Sequence, residues 1–190
     1  MHRRSFILTS AGVIASGVFA TAGSAQSTPP AAPQESTAPP KPPALAAEQV
    51  KAVVVQSHRS LEKVRELVEA TPLLVNACWD WGGGDFETPL EAAAHTGQRA
   101  IAEYLLGKGA RPSLFAAAML GQLDLVKAFH AVDPKAHEIA GPHGFTLHHC
   151  AKQGGATAQP VLDWLGAQGA AAVAVRPLPY VWPAGPEIKK

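Results

Sequence analysis

The residue types best suited to chemistry gather near the C-terminal end: His143, His148, His149 and Cys150. Imidazole and thiolate groups at short spacing are the ligands of zinc and related metals. On a helix, though, positions 148 and 149 point about 100° apart, and position 150 falls on an alanine-rich, inward side. Such divergence suits histidines satisfied within the fold, so no metal ligand and no cofactor is assigned. Gly82-Gly83-Gly84 could suggest a phosphate cradle, but it neither follows a strand nor leads into a Lys-Ser/Thr helix, so a hinge is expected. The sequence holds no nucleophile elbow, no phosphate loop, no HExxH and no paired-carboxylate spacing. No catalytic residue is therefore named, and a non-enzymatic protein is expected.

The elements that position these groups come from an internal repeat. Thr88-Pro89-Leu90-Glu91-Ala92-Ala93-Ala94-His95-Thr96-Gly97 aligns without gaps on Pro112-Ser113-Leu114-Phe115-Ala116-Ala117-Ala118-Met119-Leu120-Gly121. A third copy runs from Leu147 to Gly154, and a fourth, from Val50 to Arg59, carries valines in place of alanines. Behind each copy lies a segment with apolar residues at three- and four-residue steps: Leu61–Val68, Ala100–Leu106, Leu123–Phe129 and Val161–Leu165. That period predicts a helix with one buried stripe, and hence four helix pairs. Alanine-rich first helices let neighbouring pairs approach closely enough to share one core.

Thr88-Pro89-Leu90, Ala92-Ala93, Gly97, Ile101-Ala102, Leu105-Leu106 and Gly109-Ala110 together resemble one full ankyrin repeat. Glu91 stands where that family has its usual histidine, and His148 restores it in the last copy. The resemblance implies an all-α ankyrin-repeat solenoid over 44–170, with repeats at approximately 47–75, 76–110, 111–140 and 141–170. The closing positions Arg59, Gly97, Gly121 and Gly154 are 38, 24 and 33 residues apart, against a usual period of about 33. The short step leaves no room for a hairpin finger between Gly109 and Pro112. The long step puts its extra residues in Asn76–Phe86, an enlarged finger bearing Trp79, Trp81 and three glycines.

In ankyrin proteins the finger tips and the two residues before each closing glycine face a concave groove where partners bind. Carried onto this chain, the resemblance marks Trp79, Asp80 and Trp81 in the finger, then His95 and Thr96, Met119 and Leu120, and Lys152 and Gln153. Trp79, Trp81, Met119 and Leu120 are expected to form the apolar centre of such a surface, since aromatics and Met are favoured there. An alternative for either tryptophan is to fold back and plug the gap left by a missing finger. Cys78 and Cys150 lie about two repeats apart, and helix layers spaced roughly 10 Å put them beyond disulfide reach.

The N-terminal residues supply an address. Met1–Arg4 is basic, Phe6–Ala20 is apolar but diluted by small residues, and Gly23-Ser24-Ala25 offers a cleavage site before Gln26. This is the layout of a signal peptide at 1–25. Arg3-Arg4-Ser5-Phe6-Ile7 resembles a twin-arginine leader, although no lysine follows and His2 precedes the pair. Ordinary secretory export is the alternative, and either route predicts a periplasmic or secreted protein with no stable membrane span after cleavage. Residues 26–43 hold seven prolines among Ala, Ser, Thr and Gln, the composition of an extended tether. Residues 171–190 carry four more prolines, so an extended tail is expected there, packed partly on the last repeat as a cap.

Charge narrows the partners. The 190 residues carry 16 Lys+Arg against 15 Asp+Glu, for a formal charge of +1. A balance near zero without a basic run argues against nucleic-acid binding. The expected function is an exported monomer that binds an unidentified protein partner through its groove. The alternative is an accessory or assembly subunit of an exported redox or metallo-enzyme.

Overall fold

The computed structural model describes residues 42–169 and Val175. The chain divides into two units, 1–41 and 42–190, and all that follows concerns the second. The expected signal peptide, nearly all of the tether and the tail apart from Val175 lie outside the described residues.

The described chain is mostly helical, with eight α-helices. They are α1 (Ala47–Ser57), α2 (Leu61–Ala70), α3 (Pro89–His95), α4 (Arg99–Gly107), α5 (Leu114–Leu120), α6 (Leu123–Val132), α7 (Leu147–Gln153) and α8 (Gln159–Ala167). Short 3₁₀ turns follow α2, α6 and α7. Consecutive helices pack as pairs, and the first members stack in order: α1 on α3, α3 on α5, α5 on α7. The second members meet outside them, α2 against α4 and α6 against α8. Four helices begin at a hydroxyl cap. Ser60, Thr88, Ser113 and Thr146 accept the N–H groups of Lys63, Glu91, Ala116 and His149, each occupying an otherwise unpaired donor. At Thr88 the cap is reciprocal, because Glu91 accepts the Thr88 N–H at 3.1 Å. The residue that departs from the ankyrin pattern thus fastens the start of α3.

Small side chains set the spacing of the stack. Ala92, Ala93 and Ala94 on α3 are fully buried, as are Ala117 and Ala118 on α5, within 1%. Larger groups, among them Leu74, Leu90, Ile101, Leu105, Met119, Leu147 and Leu165, fill the space beneath. Gly121 ends α5 in the left-handed conformation (φ +77°), and a Cβ there would collide with the Thr157 carbonyl. Gly121→Ala should therefore cost about 1–3 kcal/mol from the backbone conformation alone, with the clash added. Urea melting checks this; an unchanged midpoint would mean that α5 and the Gly155–Ala158 turn do not meet as described.

The connections differ as their lengths require. Between α4 and α5, no strand forms; the Asn76 side chain spans the link instead, donating to the Gly109 carbonyl at 3.0 Å and accepting the Arg111 N–H at 2.8 Å. Between α2 and α3, two short antiparallel strands, β1 (Trp79–Asp80) and β2 (Phe86–Glu87), form a finger in which Trp79 pairs with Glu87 and Asp80 with Phe86. Gly82, Gly83 and Gly84 all have positive φ. Asp80 Oδ1 accepts the Gly82 and Gly84 N–H groups at 2.8 and 3.2 Å. The expected hinge is thus a tied turn, since the carboxylate satisfies the amides a free loop would leave to water. Further on, Val175 forms an antiparallel bridge with Phe145, just before α7. Among the described residues, no helix is long and apolar enough to cross a membrane.

Candidate functional site: a buried carboxylate ringed by histidines

Glu87 is the hub. Its place on β2, paired with Trp79, turns its side chain inward, where it is 0% exposed. A charged group is buried that deeply only when partners satisfy it. Oε1 accepts a hydrogen bond from His95 Nε2 at 2.7 Å and lies 3.4 Å from His58 Nε2. Oε2 accepts the Trp81 indole N–H at 2.7 Å and lies 3.6 Å from His143 Nε2. Burial pushes the Glu87 pKa up, but the hydrogen bonds from His58 and His95 outweigh it and hold the carboxylate at about 2. The same hydrogen bond to Glu87, more than the opposing burial, raises the His58 pKa.

Each histidine is placed by a different element. His58 caps the end of α1, and its Nδ1 lies 3.0 Å from the Val54 carbonyl. A carbonyl can only accept, so Nδ1 carries a proton; Nε2 donates to Glu87 when the ring holds its second proton, and loss of that proton leaves the Nε2 lone pair a metal would take. His95 is the last residue of α3 and 8% exposed, with its ring stacked on Phe145 at 4.6 Å. His143 stands in a left-handed conformation (φ +57°) in the turn before α7. Asp85 holds it there with both oxygens, accepting the His143 backbone N–H at 2.8 Å and Nδ1–H at 2.7 Å. The strained backbone and the Asp85 carboxylate together aim His143 Nε2 at the cluster.

One donor atom from each of His58, Glu87, His95 and His143 lies within 4.8 Å of all the others. A tetrahedral metal with bonds of about 2.0–2.1 Å would space its ligand atoms by about 3.3–3.4 Å. Glu87 Oε1 lies 2.7 Å from His95 Nε2 and 3.4 Å from His58 Nε2, near that value, and His143 Nε2 lies 3.6 Å from the other oxygen. The shortest is a proton-mediated contact that a metal would open by roughly 0.6 Å. Carboxylate or carbonyl acceptors on the remote ring nitrogen are also what metal-binding histidines use to fix their tautomer, and His58 and His143 have them.

The residues singled out in the sequence fare differently. His95 and His143 enter the cluster; His148, His149 and Cys150 do not. His149 Nε2 instead donates to the His95 carbonyl at 2.9 Å, and its ring stacks on Phe145 at 4.3 Å. Trp81 reaches Glu87 and is 39% exposed, whereas Trp79 is half-buried against the core with Lys51 over its ring. Asp80 is spent on the glycine turn, and Thr96 Oγ1 donates to the Ala92 carbonyl at 2.6 Å. Lys152 and Gln153 are exposed. Met119 and Leu120, expected at the centre of a groove, are 0% and 7% exposed. That expectation is corrected: α5 is enclosed between α3 and α7, so both residues belong to the core. His95, expected on the same groove, is likewise buried, at 8% exposure.

Sequence reasoning passed over His58, Asp85 and Glu87. A usable signal was that His58 and His95 fall one and two residues before the closing positions Arg59 and Gly97, which sets both at the same end of stacked helices. Cys78 and Cys150 are both free. Burial pushes the Cys150 thiol up to about 12, so a thiol reagent should label native Cys150 at least about 100-fold more slowly than exposed Cys78. Equal rates would contradict the packing of α7. No protein-family model matches the chain, and none of the curated proteins is significantly similar to it.

Proposed function

We propose that this is an exported metal-binding protein that holds one divalent transition-metal ion at His58, Glu87, His95 and His143 on an ankyrin-type repeat scaffold. The observation that carries the proposal is the convergence of one ring nitrogen from each of three histidines and one carboxylate oxygen within 4.8 Å. Ligands rich in imidazole suit zinc, copper, nickel and iron rather than magnesium or calcium. Stacked helix pairs, with hydroxyl caps on α3, α5 and α7, support the scaffold, and the basic-apolar-small leader supports export. Binding would displace the proton between His95 and Glu87, so uptake should release protons.

The proposal is tested by titrating the metal-stripped full chain with zinc and with cobalt in a calorimeter, alongside melting. The expected result is one ion per chain. The fold should gain about 2.7 kcal/mol at free metal one hundred times Kd. Binding no tighter in the wild type than in a His58→Ala, His95→Ala double variant would overturn it.

A second reading, a protein-protein interaction module, draws on the finger, where Trp81 and Phe86 are 39% and 59% exposed. Its partner would meet the exposed finger, Lys152 and Gln153 rather than the buried Met119 and Leu120. The two readings meet in an accessory subunit that carries a metal ion to an exported enzyme.

A further inference from the structure

The metal site has a closed side and an open side. Glu87 and His95, at 0% and 8% side-chain exposure, form its floor. His58 and His143, at 24% and 30%, stand at its mouth. Both mouth histidines line a cleft of about 290 Å³ whose remaining walls are Val55, Arg59 and Trp81. Glu87 offers the metal one oxygen, because Trp81 Nε1 occupies Oε2 at 2.7 Å. An ion held here would have Glu87 and His95 behind it and the cleft at its mouth, between His58 and His143. Zinc at an open site can expand from four ligands to five.

We infer that the cleft is a binding site for a small carboxylate with an apolar group, whose oxygen completes the coordination of the metal. This rests on the proposed metal site. The chemistry of the walls selects the class. A metal ion and the Arg59 guanidinium both favour an anionic head, and a guanidinium pairs with a carboxylate in bidentate fashion. Val55 and the Trp81 ring offer an apolar surface to the remainder of the ligand. Trp81 has a further reason to be rigid, since its indole N–H is fixed on Glu87 and its ring lies 5.7 Å from that of His143. A flat apolar group laid on such a ring gains about tenfold in affinity over a ligand without one.

The test uses the full chain loaded with cobalt, whose visible absorption reports the number and type of ligands. Azide, acetate and benzoate are titrated in turn. Each should change the spectrum saturably, and benzoate should bind about tenfold more tightly than acetate. Arg59→Ala should weaken acetate and benzoate by roughly five- to tenfold with cobalt affinity unchanged, because Arg59 is not a ligand. Cobalt bound with a spectrum indifferent to all three anions would show a closed coordination sphere and overturn the inference while leaving the metal site standing. Equal affinities for acetate and benzoate, or an Arg59→Ala variant that binds them as well as the wild type, would overturn the ligand class. Failure of cobalt to bind at all removes the metal site itself.

Discussion

Glu87→Ala is expected to destabilise the metal-free protein by about 3–5 kcal/mol, the usual cost of removing one partner from a buried charged network. The change removes the partner of the Trp81 indole N–H and strands the His95 Nε2–H, both now satisfied by Glu87 at 2.7 Å, and an unpaired donor as buried as that of His95 is costly in itself. Glu87→Gln separates folding from metal binding. The amide keeps the shape and can still accept from Trp81, so it should lose less stability than the alanine variant. It offers no anionic ligand, and metal affinity should fall by more than about 100-fold, beyond what the loss of a supporting residue costs. Urea melting and zinc titration of both variants provide the check. A Glu87→Ala protein within about 0.5 kcal/mol of wild type would mean that the carboxylate is not the hub described above.

Met119→Ala is expected to cost about 2–5 kcal/mol of folding free energy, the range for emptying a packed core site. Met119 is 0% exposed on a helix whose seven residues are all buried. Lys152→Ala, one pair along the same row of positions, should change stability by less than about 0.5 kcal/mol because the side chain is exposed. Guanidinium melting of the pair distinguishes core from surface. If Met119→Ala melts like wild type, α5 is not enclosed as seen, and a partner-facing role for Met119 returns.

The helices were legible because the signals that define them are local. A three- and four-residue apolar period, a hydroxyl before each alanine run and Gly109 after α4 each act within a turn or two of their position. The finger was legible by count, since extra residues at Asn76–Phe86 had to go somewhere. The site was not, because nothing local joins its parts. His58 ends one helix, Glu87 lies on a strand, His95 ends another helix and His143 sits in a turn 48 residues later. Only stacking brings them together. The same cause misplaced Met119 and Leu120. Their position before Gly121 marks a surface when a finger and a groove flank it, but here the finger is missing and α7 packs against α5 instead.

The tie between Asp85 and His143 spans 58 residues, whereas most helices touch a neighbour in sequence. That difference orders events in time. Helix pairs close short loops and can assemble early, but the loop from Asp85 to His143 closes only after α3 through α6 have come to rest. The cluster is therefore complete only once those pairs are in place. A chain halted before residue 143 lacks His143 and so holds no complete site. Occupancy of the site would thus report that folding has finished.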